Sequence, residues 1–517
     1  MPDDPNRTAG ACCGQVNLGL TERAGPDGEE VLAATESVCP HCLRRLPATR
    51  VARGDDVHLR KTCPEHGTFS TVIWRGSPDY RTWIRPKTPG RPEHPATRVE
   101  HGCPFDCGLC ADHRQTTCCA LLEVTQRCDL RCPVCFADAG HGRTGDASAD
   151  PSPERIAGWY RALLDSGGPV NIQLSGGEPT LRDDLPEIIA LGRSLGFTFF
   201  QLNTNGLRLA RDPGYVRRLA DAGLSTVFLQ FDSTRDEALR TLRGKALSAR
   251  KGAAIERCAE AGLGVVLVPT LVPGVNDTDI GTLVEYAVQL APAVRGVHFQ
   301  PISYFGRYPR PPRDADRITI PEIMRAIESG TGGRITVDAF APPGGENALC
   351  SFHGNFVIML DGGLVPLTRN PSASGCCPTP TPAAEGAARS RRTVARLWSA
   401  APQPAGPPAG RGGTQSPESG HGGTQCPESG RGGTQRPAAV SAGQSLGGWD
   451  ALLERARTHT FSVSGMAFQD VWNLDLERLR DCYIHDVSPD GRVIPFCAYN
   501  LTDARGRPLY RIAVDAS

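Results

Sequence analysis

The sequence predicts an α/β protein built on six β–α units, bent into an open, partial (β/α)6 barrel. A metal-binding ribbon precedes the barrel and a cysteine-bearing module follows it. Three observations predict this. Short apolar runs recur between residues 121 and 330, most followed by helix-period spacing. Cysteine and histidine pairs gather ahead of those runs at metal-ligand spacing. A long tract poor in apolar residues then separates the runs from two further strand-like segments. Strands alternating with helices assemble as parallel βαβ units with right-handed crossovers. Sites in such barrels lie at the carboxyl ends of the strands.

The chain has 517 residues, with Lys+Arg and Asp+Glu both 56. Zero net charge argues against nucleic acid as a partner. Twenty clustered cysteines point to metal rather than disulfides, hence to a reduced cytoplasm. The first residues, Met1-Pro2-Asp3-Asp4-Pro5-Asn6, have neither the basic nor the apolar segment of a signal peptide, and no apolar run is long enough to span a bilayer. The expected organisation is a loose tail over 1–30, a zinc-ribbon or rubredoxin-like domain over 31–100 and a cluster segment over 101–120. The barrel follows over 121–345. The C-terminal module takes 346–517 and contains a disordered repeat insertion over 371–448.

Within the ribbon, Cys39-x2-Cys42 and Cys63-x2-His66 are separated by 20 residues, a spacing that suits one tetrahedral ion, zinc or iron. Asp56–Lys61 alternates like a hairpin strand and Phe69–Trp74 reads as the next. A ribbon this small needs the metal for folding. Next come Cys103-x3-Cys107-x2-Cys110 and Cys118-Cys119. No strand delivers this loop, and either Cys118 or Cys119 is expected to supply a fourth thiolate that closes an iron–sulfur cube, with a zinc site as the alternative.

In the barrel, the expected strands are Leu121–Thr125, Val170–Leu174, Phe197–Leu202, Thr226–Phe231, Gly264–Thr270 and Gly296–Gln300. Ser152 caps the first helix, Pro153 opens it, and Ile156, Trp159, Tyr160, Leu163 and Leu164 form its apolar face. Asn276-Asp277 is a cap for Ile280–Leu290. The first strand feeds Cys128-x3-Cys132-x2-Cys135, and the second ends in Ser175-Gly176-Gly177-Glu178-Pro179. Three thiolates are one short of the four an iron–sulfur cube takes from protein, so one iron is open to another ligand. Zinc would want a fourth Cys or His, and a redox pair needs only C-x-x-C. Gly176 and Gly177 let the backbone approach a ligand closely, and Glu178 can accept from an ammonium. The polar strand ends Asn203, Thr204, Asn205, Gln230, Asp232, Thr270, Gln300 and Ser303 are further candidates to bind ribose, carboxylate or substrate. His298, inside a strand, reads as a core histidine.

The insertion repeats Arg411-Gly-Gly-Thr-Gln-Ser-Pro-Glu-Ser-Gly420 with no apolar anchors. Phe461–Phe468 and Val493–Tyr499 are expected strands, the second preceded by a turn at Pro489-Asp490-Gly491. Cys482 and Cys497 flank that turn. With Cys350 and one of Cys376 or Cys377 they are candidates to hold a further cluster.

The cysteine loop and its Gly-Gly-Glu resemble the radical S-adenosylmethionine (SAM) superfamily, in which the open iron binds the amino and carboxylate groups of SAM. Glu100-His-Gly-Cys-Pro-Phe-Asp-Cys-Gly-Leu-Cys110, Leu122-Glu-Val-Thr-Gln-Arg-Cys128, Ser464-Gly-Met-Ala-Phe-Gln-Asp470 and Ile494-Pro-Phe-Cys-Ala-Tyr-Asn500 resemble more closely the tetraether synthase family. Its members have also been described as radical SAM 7,8-dihydro-6-hydroxymethylpterin methyltransferases. The likeness covers residues 39–370 and 460–505. It implies a SAM-binding 4Fe–4S cluster on Cys128, Cys132 and Cys135, with SAM held by Gly176, Gly177, Glu178, Asn203, Asn205 and Asp232. It implies an auxiliary 4Fe–4S cluster on Cys103, Cys107, Cys110 and Cys118 or Cys119, and a second on Cys350, Cys482 and Cys497. Tyr483 stands where the resemblance leads one to expect another cysteine. Zinc or mononuclear iron would occupy Cys39, Cys42, Cys63 and His66. A flavodoxin or ferredoxin would supply electrons. The preferred expectation is C–C bond formation on a lipid-like alkyl substrate, with peripheral membrane contact. The alternatives are C-methylation of a pterin or other small substrate, and a non-catalytic iron–sulfur electron carrier, which would have no use for the Gly-Gly-Glu motif.

Overall fold

The computed structural model describes residues 29–93, 95–140, 147–368, 380–401 and 452–511. The ribbon is an antiparallel meander of β1 (Glu30–Val38), β2 (Arg45–Arg53), β3 (Asp56–Cys63) and β4 (Gly67–Arg75). Cys39 and Cys42 occupy the β1–β2 turn, and Cys63 and His66 the β3–β4 turn, so the meander brings both pairs to one end. Trp74 and Val57 bury their side chains in the barrel's own apolar core. Arg50 ion-pairs with Asp475 at 2.7 Å, and Lys61 Nζ donates to the Val471 carbonyl at 2.8 Å, so ribbon and C-terminal module are joined. A two-residue strand, β5 (Lys87–Thr88), follows.

The six expected barrel strands are present: β6 (Cys119–Thr125), β7 (Asn171–Gly176), β8 (Phe200–Thr204), β9 (Thr226–Gln230), β10 (Gly264–Val268) and, after the short β11 (Thr270–Leu271), β12 (Val294–Pro301). They lie side by side in that order, all parallel. The crossover elements are α1 (Pro153–Asp165), α2 (Leu185–Ser194), α3 (Leu207–Arg211), α4 (Pro213–Asp221), α5 (Asp236–Arg243), α6 (Ser248–Glu260) and α7 (Ile280–Gln289), and α8 (Ile320–Gly330) follows β12. Ser152 caps α1 as expected, accepting from the Arg155 N–H at 3.3 Å, and Ile156, Trp159, Tyr160 and Leu163 are its buried face. Asn276 does not cap α7. It is fully buried, and its Nδ2 donates to the carbonyls of Asp232 and Thr270 at 2.8 and 2.9 Å, because two strand-end carbonyls turned inward need a donor more than an exposed helix end does.

The C-terminal module is not a separate body. After β13 (Ser351–Ile358), β14 (Leu364–Pro366) and the short β15 (Thr381–Pro382), which pairs with β5, β16 (Thr460–Met466) adds in parallel to β12. The strand β17 (Ile484–Val487) adds in parallel to β6 at the opposite edge, and β18 (Val493–Pro495) covers it. Both edges of the barrel's own strands are thereby paired, and the sheet's open edges move out to the short strands β14 and β18. The expected strand over Val493–Tyr499 stops at Pro495, and Phe496–Tyr499 is one helical turn. Proline at the junction fixes φ and has no N–H for a ladder.

Part of the stretch expected to be disordered, 371–448, is ordered. Residues Ala383–Trp398 form a helix, α9. It lies across the amino-terminal ends of the barrel strands. Asn171 Nδ2, at the start of β7, donates to the Arg391 carbonyl at 3.3 Å, and Arg295 Nε, at the start of β12, donates to the Leu397 carbonyl at 3.0 Å. A Cβ on Gly264 would come within 2.4 Å of the Trp398 carbonyl oxygen. The helix forms because Ala and Arg dominate it, both strong helix formers, and its Ala383, Ala387 and Leu397 are buried. It floors the barrel. The repeats of the insertion, and Cys376, Cys377 and Cys426, lie outside the described residues. No helix among the described residues is long and apolar enough to cross a membrane.

Candidate active site

The loop that leaves β6 carries Cys128, Cys132 and Cys135, and all three line a single cavity of about 410 Å³ inside the barrel. The loop is fastened on two sides. Arg127 Nη2 donates to Asp150 Oδ2 at 2.6 Å, and Arg307 Nε to the Cys132 carbonyl at 2.8 Å. Cys135 and Arg307 exchange both backbone hydrogen bonds, each 2.9 Å. A Cβ on Gly306 would meet the Phe136 carbonyl oxygen at 2.4 Å, so glycine is what lets the two loops touch. Burial pushes the Cys128 thiol up to about 12 and raises Cys132 against the pull of Arg243. Buried sulfurs at this mouth stay thiolate only beside a compensating cation, which fits a cationic iron centre. Phe136, one step past the third cysteine, packs on Phe496 with ring centroids 5.7 Å apart.

The Gly-Gly-Glu segment runs directly against that loop. Gly177 N–H donates to the Thr125 carbonyl and Glu178 N–H to the Arg127 carbonyl, both at 2.7 Å. A Cβ on Gly176 would lie 2.2 Å from the Thr125 oxygen, and one on Gly177 2.1 Å from the Arg127 oxygen. The close approach that demands glycine is therefore to the cysteine loop's own backbone. Glu178 Oε1 accepts from the Thr180 N–H at 3.1 Å and from the hydroxyls of Thr180 and Thr204 at 2.6 Å each. Oε2 accepts from the Asn205 N–H at 2.7 Å. Burial raises this carboxyl above its ordinary value despite those bonds, so a cation arriving beside it would be attracted.

The other strand-end candidates divide. Asn203 stays in the cavity wall: its Oδ1 accepts from Gln173 Nε2 at 2.6 Å, and its Nδ2 donates to Ser175 Oγ at 3.3 Å. Asn205 is committed to the loop, donating to Asp129 Oδ1 at 2.7 Å and accepting from the Leu207 N–H at 2.9 Å. Asp232 is fully buried and forms a two-point ion pair with Arg243, 2.7 and 2.6 Å. Burial would raise the Asp232 carboxyl, but the guanidinium outweighs it and holds it below its ordinary value. Arg243 also reaches the Val134 carbonyl, at 3.3 Å, and Thr270 Oγ1, at 3.1 Å. It thus ties the cysteine loop to the strand ends. Sequence reading missed Arg243 and the buried Lys251, whose Nζ donates to the carbonyls of Asn205 and Gln230. Neither has a motif; their partners are distant in sequence.

Below the cysteines the cavity continues down the lumen between Gln173, Gln201 and Gln230 on one side and Phe228, His298 and Trp398 deeper in. Gln230 Oε1 is buried with no hydrogen-bond partner among the described residues. His298 bonds Ser464 Oγ at 2.9 Å and packs against Phe228, 5.4 Å between centroids, and Trp398, 5.8 Å. It is a satisfied histidine, yet it forms part of the cavity wall.

The ribbon forms the metal site that its spacing predicts. The ligand atoms of Cys39, Cys42, Cys63 and His66 all lie within 4.8 Å of one another. Cys42 and Cys63 sulfurs are 3.9 Å apart, and His66 Nδ1 is 3.6 Å from Cys39 Sγ and 3.5 Å from Cys63 Sγ. A tetrahedron with roughly 2.3 Å metal–sulfur bonds has edges of about 3.8 Å, so the set fits a single ion with His66 as full member. Protein purified without added metal should carry zinc at this site by elemental analysis. His66→Ala should lower zinc retention at least tenfold under chelator challenge; finding iron there instead would assign the site as rubredoxin-like.

The remaining cysteines form two further groups. Cys103, Cys107 and Cys110 surround a small cleft, and their mutual proximity, with burial, raises the Cys107 thiol. Neither Cys118 nor Cys119 joins them. Both face the barrel cavity, because the β6 register and the Tyr483 carbonyl, which accepts the Cys118 N–H at 2.8 Å, turn this segment inward. Cys350, Cys482 and Cys497 lie close enough that each neighbour's charge raises Cys482 further after burial. Arg478 Nε donates to Cys350 Sγ at 3.5 Å and the Gln469 N–H to Cys497 Sγ at 3.3 Å. Among the described residues no fourth cysteine completes this group.

Comparison with known proteins agrees with this geometry. Residues 122–287 match the radical SAM superfamily, and residues 31–75 match the HMPTM N-terminal zinc ribbon domain. The 7,8-dihydro-6-hydroxymethylpterin dimethyltransferase of Methanocaldococcus jannaschii is 36% identical over 488 residues, 90% of this chain and 93% of that one. A probable GTP 3′,8-cyclase of Methanothermobacter marburgensis is 35% identical over 179 residues, 34% of this chain and 56% of that one. The crystal structure of Streptococcus suis SuiB is a distant match, with a TM-score of 0.34 and 16% identity over 43% of this chain and 47% of that one. A three-cysteine loop above a barrel cavity, a Gly-Gly-Glu strand end locked against it, a zinc-ribbon site and near full-length similarity lead to one conclusion: the chain belongs to the 7,8-dihydro-6-hydroxymethylpterin dimethyltransferase family and is a radical SAM enzyme.

Proposed function

We propose that this enzyme methylates a carbon of a pterin or closely related heterocycle, rather than coupling alkyl chains. The observation that carries this reading is the lumen. The amide side chains of Gln173, Gln201 and Asn203 interlock, Gln173 and Gln201 donating to Asn203 Oδ1 at 2.6 and 3.4 Å, and Gln230 Oε1 beside them has no partner. A row of amides suits the alternating donors and acceptors of a pterin edge, and the Phe228–His298–Trp398 wall suits its flat face. A methylene chain would leave Gln230 Oε1 unpaired, at about 1–3 kcal/mol. The relative from Methanocaldococcus jannaschii, named as a pterin dimethyltransferase, supports the same choice.

In this reading Cys128, Cys132 and Cys135 hold the cluster. Glu178 Oε2, with a lone pair left after the Asn205 N–H, accepts the SAM ammonium, and Gly176 and Gly177 hold it at that height. Together the cluster and SAM supply reductive cleavage of a C5′–S bond, which delivers a carbon-centred radical to an unreactive C–H. Arg243, fixed by Asp232, sets the loop over the lumen, and α9 closes the floor so that the reacting carbon is kept from water. A flavodoxin- or ferredoxin-class donor is the proposed reductant, and Cys103, Cys107 and Cys110, like Cys350, Cys482 and Cys497, are proposed to hold auxiliary clusters. Anaerobic turnover with methyl-labelled SAM, reductant and 7,8-dihydro-6-hydroxymethylpterin should yield 5′-deoxyadenosine and methionine from one SAM, S-adenosylhomocysteine from a second that gives up its methyl group, and a labelled pterin heavier by one or two methylene units, with two electrons drawn from the reductant for each methyl added. An unchanged pterin, with saturated lipid chains coupled under the same conditions, would overturn this reading in favour of alkyl coupling.

A further inference from the structure

The cleft of Cys103, Cys107 and Cys110 lacks the fourth thiolate that Cys118 was expected to give, and a different donor faces it. His113 lines the same cleft and is only 4% exposed. Its Nε2 is buried and makes no hydrogen bond among the described residues. The backbone of Cys482 lies beside the ring and interacts with it. A neutral imidazole that donates from Nδ1 to a carbonyl presents a bare lone pair at Nε2, which is how metal-bound histidines are oriented by their surroundings. The His485 ring packs edge-on against it, centroids 5.1 Å apart, and fixes its plane. A buried nitrogen lone pair left empty costs free energy for no return; a metal ion would satisfy it. The spacing repeats one already used in this chain: Cys110-x2-His113 matches Cys63-x2-His66 of the ribbon.

We propose that His113, through Nε2, is the fourth protein ligand of an auxiliary iron–sulfur cluster on Cys103, Cys107 and Cys110. This rests on the reading that the three cysteines hold a cluster. The competing donor at the cleft is Asp112, but the residue is exposed, whereas His113 is buried. Exchange of a thiolate for a neutral imidazole removes one negative charge from the cluster's shell, which makes it easier to reduce than an all-cysteine cube of the same type. The Cys482 contact also couples this cluster mechanically to the C-terminal cysteine group.

The test uses the full chain with Cys128, Cys132 and Cys135 changed to Ala, so that signals from the SAM site are absent. The reduced protein is made with natural-abundance and with 15N-labelled histidine and read by pulsed EPR. We expect a nitrogen hyperfine coupling that changes with the label and disappears in His113→Ala. His113→Cys, which restores a thiolate and guards against misfolding, should keep the iron, lack the coupling and shift the midpoint potential downward. Cys118→Ala should leave iron content and coupling intact. If the cluster forms but the coupling is absent, or persists in both His113 variants, His113 is not a ligand. Loss of this iron in Cys118→Ala would likewise return the fourth position to cysteine. If Cys103→Ala removes no iron from this background, there is no cluster at the cleft and the underlying reading fails with the inference.

Discussion

Reductive formation of 5′-deoxyadenosine falls by at least a factor of a thousand when Cys128, Cys132 or Cys135 is changed to Ala. The loop offers no free substitute for a thiolate: its three cysteines line the cavity, the Asp129 carboxylate is held by Asn205 Nδ2 at 2.7 Å, and the adjoining side chains of Val134 and Phe136 are apolar. A cube that loses one of three thiolates loses its seat. Cys103→Ala and Cys107→Ala act on a separate cleft, and should lower product formation while leaving SAM cleavage measurable, within about tenfold of the parent chain if electron entry is their only role. Quantifying 5′-deoxyadenosine against product in the same reaction separates the two. Should the Cys103 and Cys107 variants abolish cleavage while the Cys128 variant retains it, the two C-x3-C-x2-C loops have been assigned in the wrong order.

Those two loops share one spacing, and the sequence distinguished them through what precedes each. Ala120–Val124 is an apolar run and becomes β6, fully buried at Ala120, Leu122 and Val124; Glu100-His101-Gly102 is polar and becomes a turn in which Asp106 accepts three backbone N–H groups, 2.6–2.7 Å. Local pattern was enough there, and for the ribbon, where hairpin geometry carries both ligand pairs to one end. It was not enough wherever a partner lies far along the chain. Arg243 and Asp232 are on neighbouring elements, but the charge pair matters because it also reaches Val134, 109 residues away. Glu178 was legible as a candidate ligand from its motif, yet two of its four bonds depend on Thr204 and Asn205 at the end of the next strand and two on Thr180 in the turn formed after it. Cys118 or Cys119 was expected beside the Cys103 loop, because a sequence counts thiols and does not say which way the segment entering β6 turns them; both line the barrel cavity. His113 carried a readable signal in its spacing to Cys110, overlooked while a fourth cysteine was sought. The joining of β16 and β17 to opposite edges of the barrel has no local signature at all: parallel pairing of remote strands is decided by which edge is left bare.

The floor helix gives the sharpest contrast between composition and structure. Deleting 402–446 with a short Gly/Ser bridge should leave melting and iron content unchanged, because that tract has no apolar anchor to lose. Extending the deletion to 380–446 should lower the melting temperature markedly and abolish product formation. Three costs add. Phe228, Val266 and Val268, which with Trp398 form one apolar cluster, lose their cover; truncation of large buried side chains in such a cluster costs about 2–5 kcal/mol each. Arg295, with a side chain buried in the floor and, among the described residues, no carboxylate paired with it, is held by three acceptors: the Leu397 carbonyl at 3.0 Å, the Thr458 carbonyl at 2.9 Å and Thr460 Oγ1 at 2.7 Å. Burial already pulls its pKa down to about 10, and removing the first acceptor leaves a buried cation short by about 1–3 kcal/mol. The lumen also opens at its lower end, so water reaches the amide row. Trp398→Ala within the intact chain should show a smaller version of the same fall. Calorimetry of the two deletions side by side decides the matter: equal melting temperatures would mean that α9 contributes nothing to the barrel, and its role as floor would have to be given up.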